Sequence, residues 1–516
     1  MRRSCAGREL SFVLVCVLAG GVSCAAAVPR HVDPASLPAN TRELFTQSME
    51  LGTHFWDDSA TLLRNPSAGS NPKESGHYLV RESSWYALGL LLRDASGDRQ
   101  RAAAILNVVL AQQYVTPGVK WYGTYRRSPE EPAPNRASKP FDGYDPNWRM
   151  FIGTTFAIIL AEYPDRIPPE LGQRMLVAIG RSIEGEIAEK RLVPSYSNIA
   201  LMYGFLWDFA AQHLHRADWQ QQSADWNESV YRLFTRYNAF FEYNSPTYCG
   251  VDLYGLALWR DYGSTQRMQA IGSEMEAALW RDLAGFYQPA LRNISGPYDR
   301  SYGMDMESYV SVVGGWMRTA LNANLAPLPP LMPDTDHLAD IWFAPHLAVL
   351  GTRIPADALE KMQRFAGPHL VRKQITDQRV ATAWIGDHVI FGGESTGKTK
   401  DAGPTSQFHP ATVQWRTPSG HIGWVQLVRS PMVDATADEH GLTISATGTL
   451  RWRIHAIGLT AASIAAGGWT LPGLGVQVTT DARSFRIKIA KDAGNGSFDL
   501  VYSGLTTMRL DIQPAP

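Results

Sequence analysis

The chain has 516 residues, of which 45% are hydrophobic and only 19% charged, with a formal net charge of -1. That balance excludes a disordered tail, a protein that coats nucleic acid and a polytopic membrane protein. The length suits two domains of ordinary size or one large helical domain with an appendage, and near-neutral charge means that an acidic ligand must be met by local groups. The 16 Trp and 20 Tyr fit either a sugar-binding cleft or dense helix packing.

The first residues read as a targeting segment. Arg2 and Arg3 precede an apolar run from Leu10 to Val22, and Ala25 and Ala27 offer a small-x-small cleavage site, the pattern of a secretory signal peptide over 1–27. Lipidation at Cys24 is the alternative, with Gly21 where a larger aliphatic residue is usual. No later stretch is long and apolar enough to span a bilayer, so the expectation is a secreted or periplasmic protein without a membrane span. Of the four Cys, Cys5, Cys16 and Cys24 fall in this segment, leaving Cys249 alone and no intrachain disulfide.

From about residue 40 to 350 the pattern is helical. Ser83 to Leu92, Ala102 to Val109, Met150 to Ile159, Ile199 to Ala210, Val230 to Phe241 and Val310 to Leu321 carry helix-spaced apolar residues. Pro132-Ala133-Pro134 and Pro327 to Pro333 punctuate them. Beyond about residue 370 short alternating runs take over: Thr412 to Trp415, Gly423 to Val428, Leu450 to Ile454, Phe485 to Ile489 and Phe498 to Tyr502. The expected architecture is mainly α with a β domain: an (α/α) toroid of helical hairpins over 28–360, then an antiparallel β-sandwich over 361–516.

Polar, aromatic-rich loops recur before the apolar helices, at intervals each long enough for one helical hairpin. They are Asp145-Pro146-Asn147-Trp148, Ser195-Tyr196-Ser197-Asn198, Tyr243-Asn244-Ser245-Pro246-Thr247-Tyr248 and Tyr298-Asp299-Arg300-Ser301-Tyr302. Hairpins in a ring place equivalent loops at one end. As single loops they read equally well as helix caps; as a set, the accompanying Tyr, Trp and Arg favour a site.

Two chemistries fit such a set. The first is β-elimination on a uronic-acid polysaccharide, in which donors neutralise the sugar carboxylate, a base removes the adjacent carbon-bound proton and an acid protonates the leaving oxygen. Tyr302 lies two positions from Arg300, whose charge would lower a phenol pKa; Asn198, Asn244 and His77 are candidate neutralisers or a second base. An ion pair with Asp299 or Glu307 is the competing role for Arg300. The second chemistry is inverting glycoside hydrolysis by Glu242 with Asp299 or Asp305, which needs carboxylates roughly 6.5–9.5 Å apart. Trp148, Tyr243, Tyr248 and Tyr298 are the rings for sugar contact, with Glu242 and Asp299 as polar partners. No Walker loop, dinucleotide fingerprint or Gly-x-Ser-x-Gly elbow is present, and no metal or cofactor is expected.

A helical-hairpin ring with an Asn- and Tyr-lined cleft and a trailing β domain resembles the toroid polysaccharide lyases. The likeness is greatest to the glucuronan and alginate lyase type and looser to the heparinase II/III type. Asn244-Ser245-Pro246-Thr247-Tyr248 and Tyr298-Asp299-Arg300-Ser301-Tyr302 carry it. The resemblance implies that an Asn, a His, a Tyr and an Arg share one site; Tyr302 and Arg300 match the last two, Asn198 or Asn244 the amide, and His77 the imidazole. It implies an acidic polysaccharide as the partner, and neither nucleic acid nor membrane. A secreted glycan-binding protein without turnover is the remaining reading.

Overall fold

The structure is a computed structural model that describes residues 31–67, 76–398, 407–428, 430, 432–490 and 496–514. The targeting segment, with Cys5, Cys16 and Cys24, lies outside the described residues. Twelve α-helices lie among the described residues: α1 (Ala39–Phe55), α2 (Val80–Arg93), α3 (Asp98–Ala111), α4 (Trp148–Glu162), α5 (Pro169–Glu189), α6 (Ser197–His213), α7 (Ala217–Thr235), α8 (Cys249–Tyr262), α9 (Gln266–Phe286), α10 (Val312–Ala320), α11 (Ala344–Leu350) and α12 (Ala356–Gln363).

Burial sorts them into two rings. α2, α4, α6 and α8 pack against one another in order, and α3, α5, α7 and α9 each back onto their hairpin partner. α10 and α1 continue the inner ring from α8 round to α2. Inner helices are buried on nearly every face: each residue of α6 from Ser197 to Ala211 is buried. A helix apolar all round needs neighbours on all sides, whereas one with a single apolar stripe belongs outside. α7 is of the second kind, with Trp219, Ser223, Asn227, Val230 and Phe234 forming its one buried stripe. α11 plugs the ring: His346 is fully buried, bonded to Thr155 of α4 at 3.0 Å and edge-on to Trp85 of α2 and Tyr254 of α8.

The α8–α10 step brings a helix against its neighbour's backbone. A Cβ on Gly250 would lie 2.2 Å from the Val313 backbone nitrogen, and the Gly250 carbonyl accepts the Trp316 indole N–H at 2.9 Å.

The helices end at Gln363, and the large antiparallel sheet starts with His369–Gln374. Its strands run in hydrogen-bonded order through Val380–Ile385, Val389–Ser395, Ala411–Arg416, Ile422–Leu427, Gly441–His455 and Ser497–Pro514. Val433–Asp438 pairs with both Gly441–His455 and Val389–Ser395, folding the sheet back on itself around one core that includes Phe391, Trp415, Trp452 and Leu500. The alternating runs at Leu450–Ile454 and Phe498–Tyr502 are parts of strands 15 and 18 residues long. Gly448, with φ 112°, marks a register shift in the first, so a glycine that reads as an ending in sequence is a bulge within a continuous strand. The domains share apolar packing, since Ala381, Ala383, Ile385 and Ile390 belong to the helical core.

The helical stretch expected from Val230 to Phe241 stops at Thr235, and the chain turns inward to bring Glu242 beneath the ring end. α1, α5, α9 and α12 carry charged faces that dilute their apolar period. Because the α8–α10 clash is with backbone, Gly250→Ala forces the helices apart and costs about 1–3 kcal/mol. It should lower the thermal midpoint by several degrees in a melting experiment; an unchanged midpoint would show that the ring closes more loosely than these distances say.

Candidate active site

The recurring loops lead into α4, α6, α8 and, after a longer segment, α10, so they gather at one end of the ring. They are hydrogen-bonded tip to tip. The Asn147 amide donates to the Tyr196 hydroxyl at 2.9 Å, and the Asn198 amide to Glu242 Oε2 at 2.8 Å. The Ser245 hydroxyl donates to the Arg300 carbonyl at 2.6 Å, and the Tyr302 N–H to Thr247 Oγ1 at 3.1 Å. Buried loops must satisfy their polar groups, and here each loop does so largely with the next.

At the centre stands Arg300. Its Nη1 pairs with Glu242 Oε1 at 2.8 Å, its Nε donates to Gln407 Oε1 at 3.0 Å, and its guanidinium lies 3.7 Å from the Tyr248 ring centroid. The Tyr248 and Tyr302 hydroxyls are 2.8 Å apart. Tyr302 is 43% exposed, and its other neighbour is the His337 ring, stacked at 4.4 Å. His337 Nδ1 lies 3.9 Å from Asp340. Arg81, on the first turn of α2, pairs with Glu82 at 2.6 Å and packs 5.2 Å from the Trp148 ring.

The electrostatics differ from the simple picture of a guanidinium lowering a phenol. Burial pushes both Tyr248 and Tyr302 above the ordinary phenol value, and outweighs the opposing pull of Arg300. Glu242 already takes much of the Arg300 charge. Burial likewise raises the Glu242 carboxyl, with Arg300 opposing. Phenols in the resting site are therefore protonated at neutral pH.

Several expected site residues lie elsewhere. The Asn244 side chain donates to the Ser295 and Pro297 carbonyls at 2.8 and 2.7 Å, which spends its amide on the loop backbone. His77 is exposed, beside the small sheet before α2, and the imidazole against Tyr302 is that of His337. Tyr243 is buried edge-on to Phe286, so its ring meets the core. Tyr298 is fully buried, its hydroxyl bonded to the Ile294 carbonyl, and Trp148 is only 6% exposed under Arg81. Asp299 pairs with Arg379 of the β domain at 2.7 Å. Asp305 binds the Asn293 amide and the Glu307 N–H, while Glu307 pairs with Arg292 and Arg416. Asp299 is near enough to Glu242 to raise its carboxyl further. Asn198, Glu242, Tyr248, Arg300 and Tyr302 do converge. Tyr196, from one of the recurring loops, joins them, as do His337, Arg81 and Gln407, which carry no sequence signal beyond their residue type. A cavity of about 580 Å³ between α1 and the Pro329-Pro330 segment is lined by Glu43, Glu50, His54 and Arg318, and lacks the phenol–guanidinium chemistry. Among the described residues, no group of three or more His, Cys, Asp or Glu is arranged to hold a metal ion, and no helix is long and apolar enough to cross a membrane.

The comparisons with known proteins bear on the same residues. Positions 42–352, more than half of the chain, match the model described as a domain of unknown function, DUF8769. The chain belongs to that family. Positions 369–497 match a second domain of unknown function, DUF8770. No curated relative matches this DUF8769 member in sequence. Among solved structures it is similar to heparinase III, at 9% identity and a TM-score of 0.45 over 95% of this chain and 87% of that one. It is similar to the Streptomyces coelicolor A3 chondroitin AC lyase in complex with chondroitin sulphate, at 11% identity and 0.46 over 94% and 80%. It is also similar to the Clostridium thermocellum endoglucanase CelQ complexed with cellobiose and cellotriose, at 10% identity and 0.25 over 92% of each chain.

Beneath the site, Asp252 on the first turn of α8 is fully buried, and neither of its carboxylate oxygens has a hydrogen-bond partner among the described residues. Burial, with Glu242 nearby, pushes its pKa well above the ordinary carboxyl value. The folded state thus keeps a proton that the unfolded chain has lost, and stability falls as pH rises above about 4, the unfolded value. Asp252→Asn should remove part of that slope. Denaturant melts at mildly acidic and mildly alkaline pH should show the variant losing less stability than the parent; identical losses would show Asp252 ionised in the fold.

Proposed function

We propose that the cleft carries out eliminative cleavage of a uronic-acid-containing polysaccharide. The observation that supports this most is the Tyr248–Tyr302 hydroxyl pair, with the Tyr248 ring against the Arg300 guanidinium and Tyr302 reachable from solvent. Elimination needs a cation near the sugar carboxylate and one group able to take and return a proton. Arg300 supplies the cation: Gln407 and Glu242 hold its Nε and Nη1, while its Nη2 has no protein hydrogen bond among the described residues. The Asn198 amide, already given to Glu242, serves by fixing that carboxylate.

In the step itself, the Tyr302 phenolate accepts the proton from the carbon beside the carboxylate. The electron pair left behind becomes a carbon–carbon double bond, the neighbouring carbon–oxygen bond breaks, and the leaving oxygen takes a proton from the phenol pair. Tyr248 bonds to the Tyr302 oxygen and so stabilises it as phenolate. The leading segment, read as secretory, suits an enzyme that meets a polymer outside the cytoplasm. The hydrolase reading keeps one supporting feature, the raised Glu242 carboxyl suited to a general acid. Its expected partner Asp299 lies near enough to raise the Glu242 carboxyl and is itself ion-paired with Arg379.

Incubation with glucuronan, alginate and a neutral glucan separates the readings. Elimination leaves an ultraviolet-absorbing unsaturated end on the uronans; saturated reducing ends alone would replace the proposal with hydrolysis. Tyr302→Phe should lower kcat by about 100- to 10,000-fold with polymer binding retained; retained turnover removes Tyr302 from the chemistry. The pH dependence has a definite sign. Both phenols sit above their ordinary pKa of about 10, so kcat/KM should still be climbing above about pH 9. A plateau reached by about pH 7 would remove the phenols as the base.

A further inference from the structure

Arg379 lies just before the second strand of the β domain and is only 3% exposed at its side chain. Every arm of its guanidinium is engaged. Nε pairs with Glu394 of the adjacent strand at 2.6 Å, Nη2 pairs with Asp299 at 2.7 Å, and Nη1 donates to the Phe241 carbonyl at 3.0 Å. Phe241 and Asp299 are the residues immediately before Glu242 and Arg300. One side chain from the β domain therefore grips the backbone of one site loop and the side chain of the other, each a single residue from the central ion pair. A second β-domain residue, Gln407, holds Arg300 directly through Oε1 and accepts the Ser301 N–H through its carbonyl at 3.0 Å.

Ordinary domain docking does not account for this arrangement. Apolar packing through Ala381, Ala383, Ile385 and Ile390 already joins the domains. Burying a guanidinium with two carboxylates adds a desolvation cost that apolar side chains of the same size would avoid. Such a group is retained where its geometry matters, and a planar fork with fixed donor directions sets the relative position of three acceptors in a way that an ammonium cannot.

We propose that Arg379 is a positioning residue that sets the spacing of the Glu242 and Arg300 loops, making the β domain part of the reacting unit. The catalytic consequence rests on the eliminative reading of the cleft; the positioning itself does not. Movement of a catalytic cation by even an ångström is enough to cost about 100-fold in rate.

The test uses the full chain and two kinds of variant. Arg379→Lys keeps the buried charge and loses the fork. Arg379→Met combined with Asp299→Asn and Glu394→Gln removes the charges together, so that neither carboxylate is left uncompensated if the single variant fails to fold. Two readouts are taken on folded protein. The first is hydrogen exchange of the Arg300 Nε–H, followed by nitrogen-labelled NMR and identified by its loss in Arg300→Lys. Held against Gln407, this proton should exchange slowly in the parent and at least about 10-fold faster in both variants. The second is turnover of the uronan cleaved by the parent: kcat should fall about 100-fold while KM changes little. Unchanged exchange overturns the proposal, as does unchanged kcat in a folded variant. If the parent yields no unsaturated ends from any uronan, the eliminative reading falls, and the exchange measurement alone decides whether Arg379 positions Arg300.

Discussion

The ion pair between Arg300 and Glu242 is the contact around which this end of the molecule is built. Both side chains are largely removed from water, where an ion loses several kcal/mol of solvation. The loss is tolerable only because every neighbour contributes: Asn198 on the other carboxylate oxygen, Gln407 on the guanidinium edge, and the Tyr248 ring against its face. These partners come from α6, the loop before α8 and the β domain. The ring and the β domain therefore both contribute to holding the pair.

The toroid supplies the means. Each hairpin returns the chain to the same end, and the loops there must find hydrogen-bond partners without a sheet or helix of their own. They find them in the loop of the next hairpin, so satisfying the backbone and assembling the site are one process. Inner helices stay close enough for this through small residues at their contacts, Gly250 among them. The plug of α11, centred on His346, fills the hole that a ring of helices would otherwise leave.

Charge in the site is consequently almost fully internal. Arg81 is committed to Glu82, Arg300 to Glu242, and Arg379 to Asp299 and Glu394. Nothing here resembles a broad cationic surface, in keeping with the chain's net charge of -1. Recognition of an anionic sugar would depend on one prearranged guanidinium and on phenols whose protons are held tightly until the site is engaged.

The sequence by itself determined the class of each half, because burial leaves a period in the residues: apolar on every side in α6, a single stripe in α7, alternation in Gly441–His455. It also marked the loops, since rings, amides and charges seldom crowd a solvated turn. It could not say which way a side chain in those loops turns. Asn198 and Asn244 look equivalent in sequence, yet one reaches Glu242 and the other is spent on the Ser295 and Pro297 carbonyls. Asp299 and Arg300 are neighbours, yet one pairs with Arg379 and the other with Glu242. His337, Gln407 and Arg379 lie far along the chain from the residues they touch, and carry no local pattern. Such choices depend on which unpaired donor happens to face which acceptor once the ring has closed, and only the tertiary structure decides that.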